Sequence, residues 1–549
     1  MHVRFLPWGL ITLACLGALA LFVLYPLATL TLNSFRSPDA EGFGLHGFRA
    51  FFASAEYLAA LRNTVVLGCV VTALAALVGV PFAYAVARFD FPLKNLVAIL
   101  PLSTIIIPEI ISAQSWLLVL GNNGLLTNFL YDFGIELPSF YGWGGLIIVM
   151  TLTYYTYIYF GVLAALRGFD GQLEEAALSL GASPLAAKVK VLLPTIVPAI
   201  LVNALVVFTL VVGNFALATM LGHGVPLMSV VTYGAFVSEM GGDPTMQSTL
   251  SVISILLVGV VLFVQKRVVE RKLVHMAQGR APLPQRVRGR TALGLGAGVG
   301  TLLVLSLLPL VAVFVGAFTR SRGPVMQWGQ FSLGSIERAW LNAPEPVLNS
   351  FKFAAMATVI GVIFAVTVSY LIVKKRTWLS QALDYVVVLP LAISGTVLGI
   401  AIVQTFNSGW LVLTGGSAIM VLLYVVRRAP FSVRNASSML FNIPDSLEEA
   451  SISLGVSPLA TFFKVVLPVM KASVVAAAIM MWVTSIAELS GSIVVYGGGL
   501  ETMPIKIFRL VDTGHMGLAS AYGATLVGMI LIPVLLAVKV FKVELFSGK

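Results

Sequence analysis

Apolar stretches long enough to cross a bilayer recur twelve times along the chain, separated by shorter polar segments. A helix needs about 20 apolar residues to cross the hydrocarbon of a bilayer. The first six stretches lie near 7–33, 61–87, 96–120, 144–166, 196–221 and 248–266. The second six lie near 292–318, 349–373, 381–406, 416–434, 470–495 and 519–541. The pattern predicts an all-α integral membrane protein of about twelve transmembrane helices.

The first stretch has features of a secretion signal as well as of a membrane helix. Arg4 precedes it, and Ala18 and Ala20 mimic the small residues of a cleavage site. The apolar run nevertheless continues to Leu32, which is far enough to cross the bilayer. We therefore expect a retained first helix.

A polar, basic stretch from Gln265 to Arg290 separates the two sets of six. Pro282 and Pro284 make it a poor helix. The predicted organisation is a first six-helix repeat over 1–268, a basic cytoplasmic linker over 269–291 and a second six-helix repeat over 292–549.

The composition supports a membrane protein and excludes a soluble one. The chain is 58% hydrophobic and 10% charged, whereas soluble domains carry about 25% charged residues. The net charge of +11 does not imply a nucleic-acid partner, because Lys and Arg accumulate in the cytoplasmic loops of membrane proteins. With a cytoplasmic N-terminus, 25 of the 34 Lys and Arg residues fall on the cytoplasmic side, including Arg427 and Arg428. We expect a multi-pass protein of a bacterial inner membrane with both termini cytoplasmic.

The two sets of six are copies of one another. Asn63 and Asn349 each precede a tyrosine by 21 residues. Shifting residues 174–194 by 274 positions superimposes them on 448–468 with 14 identities in 21 positions. Because each copy has an even number of crossings, both have the same orientation. They are therefore predicted to be parallel repeats about an axis along the membrane normal.

A repeated loop after the fourth span of each copy is the most specific motif in the chain. The first loop (172–194) contains Glu174, Glu175, Ala176, Gly181, Ser183, Pro184, Leu193 and Pro194. The second loop (446–468) contains Glu448, Glu449, Ala450, Gly455, Ser457, Pro458, Leu467 and Pro468. In each loop the glycine can end a short amphipathic helix, and the Ser-Pro pair suits the start of another. The final proline is expected to mark a break before the next span. The motif thus predicts a helix–turn–helix along the cytoplasmic face.

These loops resemble the EAA loop of the type I importer family of ABC transporter permeases. That loop reads Glu-Ala-Ala, three residues, Gly, nine residues and then Ile-x-Leu-Pro. The first loop matches at full spacing with Val191 in place of Ile; the second has Ser451 for the second Ala and Val465 for Ile. The resemblance extends over both halves and implies the fold of type I ABC importers (MetI-like), with two parallel six-helix repeats.

The resemblance also implies partners. Each loop would be a coupling helix docked in a groove of a cytoplasmic ATPase subunit, anchored by the glutamates and bent at Gly181 and Gly455. Two ATPase copies would bind ATP and Mg²⁺, since the chain has no G-x-x-x-x-G-K-[ST] phosphate loop. An extracytoplasmic binding protein would deliver the solute. The chain itself is expected to be a permease with no catalytic residue, no bound cofactor and no metal site.

Four polar residues within predicted spans are candidates for the translocation pathway. An ionisable residue at the bilayer centre costs about 2.5–3.5 kcal/mol on insertion scales, which marks such positions as functional hypotheses. Glu109 follows Pro108 in the third span, and Glu488 lies near Ser490 in the eleventh. The 274-residue shift places Asn214 at the position of Glu488.

Structural alternatives to these pathway roles remain open. Asn214 and Glu488 could instead hydrogen-bond neighbouring helices without contacting cargo, and Glu109 could lie near the outer surface. Two acidic groups without an intramembrane Lys or Arg would suit a cationic cargo.

The single-chain arrangement resembles permeases for ferric iron, thiamine and 2-aminoethylphosphonate. Residues 487–490 (Ala-Glu-Leu-Ser) and 502–505 (Thr-Met-Pro-Ile) look most like the ferric-iron permeases, so ferric iron is the first expectation and the other two follow. The alternative is a twelve-helix secondary transporter driven by an ion gradient, in which Glu109 or Glu488 would carry protons. The repeated loops favour the ATP-driven importer, because a secondary transporter has no use for them.

Overall fold

The architecture is that of a computed structural model, which describes residues 6–37, 42–238, 243–272, 285–286 and 289–541. Most of these residues are helical, as the apolar pattern predicts. The predicted linker over 269–291 lies largely outside the described residues.

Each half contains six helical spans in the predicted order. Those of the first half are Trp8–Ser34, Ala55–Arg88, the bent pair Lys94–Ile106 and Glu109–Asp132, Trp143–Arg167, Pro184–Val212 and Pro244–Arg267. Those of the second half are Ala292–Ala317, Glu345–Lys374, the bent pair Trp378–Ala392 and Gly395–Phe406, Ser417–Phe441, the bent pair Pro458–Val469 and Lys471–Ile486, and Met516–Leu536. Among the described residues, eight unbroken helices and three bent pairs are long and apolar enough to cross a membrane. The predicted all-α membrane fold is confirmed.

The remaining span, Ser417–Phe441, differs from the prediction in where it places its charges. The sequence predicts a span ending near 434, with Arg427 and Arg428 counted as cytoplasmic charge. The helix instead runs on to Phe441, so both arginines lie near its middle. The assignment of this pair to a cytoplasmic loop is therefore wrong. Without these two, 23 basic residues remain on the expected cytoplasmic side against 9 outside, so the expected orientation is unaffected.

The third span of each half is sharply bent near its middle. In the first half the bend is 100° between Ile106 and Glu109, at Pro108, whose ring fixes φ and removes a hydrogen-bond donor. In the second half the bend is 112°, and the Ser394 hydroxyl accepts a hydrogen bond from the Val397 N–H to cap the new helix. Both bends bring a helix N-terminus into the interior of the bundle.

The fifth span of the first half is continuous from Pro184 to Val212, so the predicted break at Pro194 is wrong. A π-helical turn at Lys188–Leu192 precedes the proline, and the Leu193 N–H donates to the Lys188 carbonyl across it. The wider turn shifts the hydrogen-bond register, which accommodates a residue without an N–H inside the helix.

The fifth span of the second half has the same π-helical turn, at Phe462–Val466, but it then breaks. The axis bends by 76° at Met470, two residues after Pro468. The two halves thus differ at this point although their sequences repeat.

The first span of each half packs against the other half. The Trp8 ring lies 4.7 Å from the Tyr370 ring and 5.6 Å from the Phe462 ring, centroid to centroid. In return, the Tyr155 hydroxyl lies 2.8 Å from the Ser306 hydroxyl of the opposite first span. The halves are interlocked, and one continuous apolar core runs through both.

The repeated asparagines connect the second span of each half to the loop that follows the fifth. Asn63 Nδ2 donates to the Pro226 carbonyl at 3.2 Å, and Asn349 Nδ2 donates to the carbonyls of Gly499 and Glu501 at 2.8 and 3.0 Å. The two asparagines, which match in the sequence repeat, therefore make the same kind of contact in both halves.

Shorter elements connect the spans or pack between them. Besides the spans and π-helical turns, the described helices are His46–Ala53, Gly171–Ser179, Ala216–Leu221, Met228–Val237, Gly334–Glu337, Asp445–Ser453, Ser492–Val495 and Met503–Asp512. Strands Thr319–Arg322 and Val325–Phe331 form an antiparallel hairpin, and Phe89–Asp90 pairs in parallel with Gln285–Arg286.

Candidate functional site

The two repeated loops fold into the same helix–turn–helix. Gly181 and Gly455, at φ of +88° and +89°, end the first helix of each loop. The Ser183 and Ser457 hydroxyls each accept a hydrogen bond from the N–H three residues later, which caps the second helix. Pro184 and Pro458 occupy the first positions of those second helices. The sequence predicts this local geometry correctly.

The first glutamate of each loop contacts its own half rather than facing solvent. Arg88 Nη2 donates to Glu174 Oε2 at 2.7 Å. In the second half, the Tyr370 hydroxyl and Lys375 Nζ both donate to Glu448 Oε2, at 2.8 and 3.2 Å. Glu174 and Glu448 therefore hold each loop against the end of the second span of the same half.

Neutralising these two glutamates is expected to loosen the loops. In the Glu174→Gln, Glu448→Gln variant each loop loses a charge-assisted hydrogen bond, which is worth roughly 1.5–3 kcal/mol. Amide hydrogen exchange over 172–183 and 446–457 should therefore accelerate by about tenfold or more. The matched control is Glu175→Gln with Glu449→Gln, which should leave exchange unchanged. Equal exchange in wild type and both variants would contradict the anchoring role.

The second glutamate of each loop is exposed within an apolar surface. Glu175 and Glu449 form no ion pair with any described residue. The leucines around them are also exposed at equivalent positions in the two loops: Leu173, Leu180 and Leu185 in the first, and Leu447, Leu454 and Leu459 in the second. Exposed apolar patches rimmed by polar groups mark interaction sites. Each loop thus presents the same acidic and apolar surface at one end of the bundle.

The remaining predicted loop residues lie around this surface. Ala176 and Ala450 are exposed on the first helices. Leu193, Pro194 and Pro468 are exposed where the loops continue into the fifth spans, and Leu467 is half-buried. At the start of the second loop, a hydrogen bond from the Lys374 ammonium lowers the pKa of the Asp445 carboxyl from its usual value.

Asn214 and Glu488 occupy the same place in the two halves, just after the fifth-span helix ends. Asn214 Oδ1 accepts a hydrogen bond from the Leu217 N–H at 2.8 Å. Glu488 Oε1 accepts one from the Gly491 N–H at 3.0 Å. Each side chain therefore caps the short segment that follows its span.

Their partners on the fourth spans are also at equivalent positions but differ in chemistry. Asn214 Nδ2 donates to the Tyr154 hydroxyl at 2.6 Å. Glu488 is paired with both Arg427 and Arg428, and the 274-residue shift places Tyr154 at the position of Arg428. The first half thus holds a neutral hydrogen-bonded pair where the second holds an ion cluster.

Glu109 joins the same region from the bend of the third span. The Tyr154 hydroxyl donates to Glu109 Oε1 at 2.6 Å, and Glu109 lies within electrostatic range of Arg427 and Arg428. Because Tyr154 is near the middle of Trp143–Arg167, Glu109 is not at the outer surface. We call Glu109, Tyr154, Asn214, Arg427, Arg428 and Glu488 the central polar cluster. Ser490 is buried beside it, packed against Gly395.

Three members of the central polar cluster do not emerge from sequence reasoning: Tyr154, Arg427 and Arg428. The argument for a cationic cargo is wrong in its premise, because two intramembrane arginines accompany the acidic residues. The repeat offset could have indicated them, since it aligns the tyrosine that contacts Asn214 with the arginine that contacts Glu488.

Comparison with known proteins gives two matches along the chain to one family model, described as "Binding-protein-dependent transport system inner membrane component". It matches residues 64–275 and again residues 357–542. Each match covers most of one six-helix half, in agreement with the internal repeat.

Among curated relatives, "Ferric transport system permease protein FbpB" of Actinobacillus pleuropneumoniae is 24% identical over 95% of this chain and 75% of its own length. "Putative 2-aminoethylphosphonate transport system permease protein PhnV" of Salmonella paratyphi A is 28% identical over 45% of this chain and 92% of its own length. "Molybdate/tungstate transport system permease protein WtpB" of Pyrococcus furiosus is 27% identical over 45% of this chain and 91% of its own length.

Proposed function

Because this chain belongs to the family of binding-protein-dependent transport system inner membrane components, we propose that its two halves enclose the translocation pathway of an ATP-driven importer. A binding protein on the outer side delivers a solute, and the halves alternate between outward-facing and inward-facing arrangements to release it into the cytoplasm. The family and the apolar spans make it a multi-pass inner membrane protein.

The pair of equivalent loop surfaces carries this proposal. Glu175 and Glu449 lie at matching positions, each among exposed leucines, on loops held rigidly to the bundle by Glu174 and Glu448. A rigid loop can transmit a displacement of its partner to the spans, whereas a loose loop cannot. Two such surfaces fit two copies of one partner, which we propose to be a cytoplasmic ATPase.

The ATPase subunits bind ATP and Mg²⁺ on this proposal, and this chain binds no cofactor. Closure of the two ATPase copies draws the repeated loops together and tips the halves. The loops, both termini and the linker then lie on the cytoplasmic side, in keeping with the excess of Lys and Arg there.

Ferric iron is the first cargo that we propose, followed by 2-aminoethylphosphonate and thiamine. The ferric relative is similar over nearly the whole chain, whereas the phosphonate relative matches about one half of it. No observation on the described residues favours the ion-gradient alternative.

Reversing the exposed glutamates is expected to release the ATPase. The tagged chain with Glu175→Lys and Glu449→Lys is solubilised gently, and the proteins that co-purify with it are identified by mass spectrometry. This variant should recover at least about tenfold less ATPase than wild type, because charge reversal at a docked surface introduces repulsion. The matched control is Asp132→Lys with Glu136→Lys, which makes the same charge change among exposed residues at the opposite end.

The control variant should recover the ATPase as wild type does. Recovery of the chain alone from wild-type membranes, in several detergents and after crosslinking, would overturn the importer and favour a gradient-driven transporter.

A further inference from the structure

The charges of the central polar cluster are not evenly exposed. Glu488 is buried, with 1% of its side chain accessible, whereas the side chains of Arg427 and Arg428 are 16% and 18% accessible. One carboxylate therefore lies behind two guanidinium groups. The accessible side of the Arg427–Arg428–Glu488 ion cluster therefore presents guanidinium groups, while Glu109 of the first half is partly exposed nearby and pairs with neither arginine.

The two guanidinium groups also retain unused donors. An arginine has five N–H donors in a planar fork that matches the geometry of carboxylate and phosphonate oxygens. Glu488 has only two oxygens for both arginines, and one of them also accepts from the Gly491 N–H. The buried Arg428 Nε has no hydrogen-bond partner among the described residues. A buried donor without a partner is costly, so a further acceptor would stabilise this arrangement.

The surroundings of the two arginines come from both halves. Gly395 has no side chain where Arg427 passes, and an added Cβ there would overlap the guanidinium. Ser394, next to Gly395, lines a small cavity with Gly213 and Ser229 of the first half, and neither arginine is among the residues that line this cavity. Glu109 faces the arginines from the first half but makes no ion pair with a described residue; it accepts from Tyr154 instead. It therefore does not supply the missing acceptor.

We propose that Arg427 and Arg428 form an oxyanion-binding site in the translocation pathway, which takes the phosphonate or carboxylate group of the cargo. Glu488 holds the two guanidinium groups together while the site is empty, and the incoming oxyanion accepts from their remaining N–H groups. This inference rests on the proposed function and narrows its cargo. Ferric iron would use this site only together with an oxyanion ligand, because a bare metal cation offers no acceptor to the remaining guanidinium N–H groups.

The alternative is that Arg427, Arg428 and Glu488 only connect the fourth and fifth spans and bind no ligand. The first half supplies the side chains for a variant that separates this structural role from oxyanion binding. At the equivalent positions the first half has Thr153, Tyr154 and Asn214, which join the same two spans without charge. A triple variant transfers these uncharged side chains to the second half: Arg427→Thr, Arg428→Tyr and Glu488→Asn. Exchange of a buried ion cluster for packed neutral groups is often neutral for stability.

The test measures ³¹P transverse relaxation of methylphosphonate with the full chain in lipid nanodiscs, without ATPase or ATP. The wild-type chain should broaden the methylphosphonate signal in a way that added sulfate or acetate reverses. Tetramethylphosphonium, a cationic probe of similar size, should not be broadened. The triple variant should bind methylphosphonate at least about tenfold more weakly.

Absence of broadening with the wild-type chain would overturn the proposal, as would equal broadening by the triple variant or a preference for tetramethylphosphonium. If the triple variant fails to fold, Arg428→Lys is the second variant whose binding is measured. It retains the charge but loses the planar fork, and it should weaken binding several-fold. Since no ATPase is present, the result is independent of whether the chain recruits one.

Discussion

Replacing Glu488 with glutamine is expected to destabilise the chain by about 3–5 kcal/mol, because removing one partner leaves buried charge uncompensated. Arg427 and Arg428 both pair with this carboxylate in the middle of the spans, and Glu488 also caps the segment beginning at Gly491. The amide of glutamine can keep the cap but cannot balance two guanidinium groups.

The measurement is unfolding of the detergent-solubilised chain by increasing fractions of SDS, followed by tryptophan fluorescence. The matched control is Asn214→Ala, which removes the equivalent cap from the first half without leaving a charge. It should cost only about 1–2 kcal/mol. If Glu488→Gln unfolded at the same SDS fraction as wild type, the two arginines would have other partners and the ion cluster would not stabilise the bundle.

Features that depend on short stretches of sequence are predicted well for this chain. The spans follow from apolar length alone, because backbone groups within the hydrocarbon must be satisfied inside a helix. The turn of each repeated loop follows from one glycine and one Ser-Pro pair, whose conformational preferences are local. The internal repeat then assigns the same fold to both halves.

Features that depend on distant partners are not predicted. An Arg-Arg pair at the end of an apolar run looks like a cytoplasmic boundary. Only the carboxylate of Glu488, in the segment after the fifth span, explains how the helix continues past it. The glutamates of the repeated loops likewise look equivalent in sequence. Only the tertiary contacts of Arg88 and Tyr370 distinguish the anchored Glu174 and Glu448 from their exposed neighbours.

The central polar cluster also indicates how duplication permits asymmetry. Asn214 and Glu488 keep one shared task, which is to cap the segment after the fifth span. This cap does not depend on which residue of the fourth span the side chain contacts. That residue is Tyr154 in one half and Arg428 in the other. At the same depth, the fourth and fifth spans are therefore joined by neutral side chains in one half and by an ion cluster in the other.

Replacing both Gly181 and Gly455 with valine is expected to abolish coupling while leaving the chain inserted in the membrane. An added Cβ would meet no atom within 4 Å at either position, so steric overlap with neighbours is not the cause. The cause is the backbone, since φ of +88° and +89° costs a residue with a Cβ roughly 1–2 kcal/mol. Two such turns disfavour the bent conformation of the loops by about 2–4 kcal/mol, which is roughly a 30- to 1000-fold loss of transport.

The measurement is solute uptake and ATP hydrolysis by the complete transporter in proteoliposomes. Hydrolysis should persist, because Glu175, Glu449 and the exposed leucines are unchanged, while uptake per ATP should collapse. Asparagine at both positions is the matched control, because asparagine adopts the left-handed region more readily than valine, and it should retain much of the uptake.

Normal uptake by the valine variant would mean that force reaches the spans without the bend at these glycines. Loss of both uptake and hydrolysis would place the defect in docking instead. The ratio of uptake to hydrolysis thus tests the turn itself, separately from the surface that the ATPase binds.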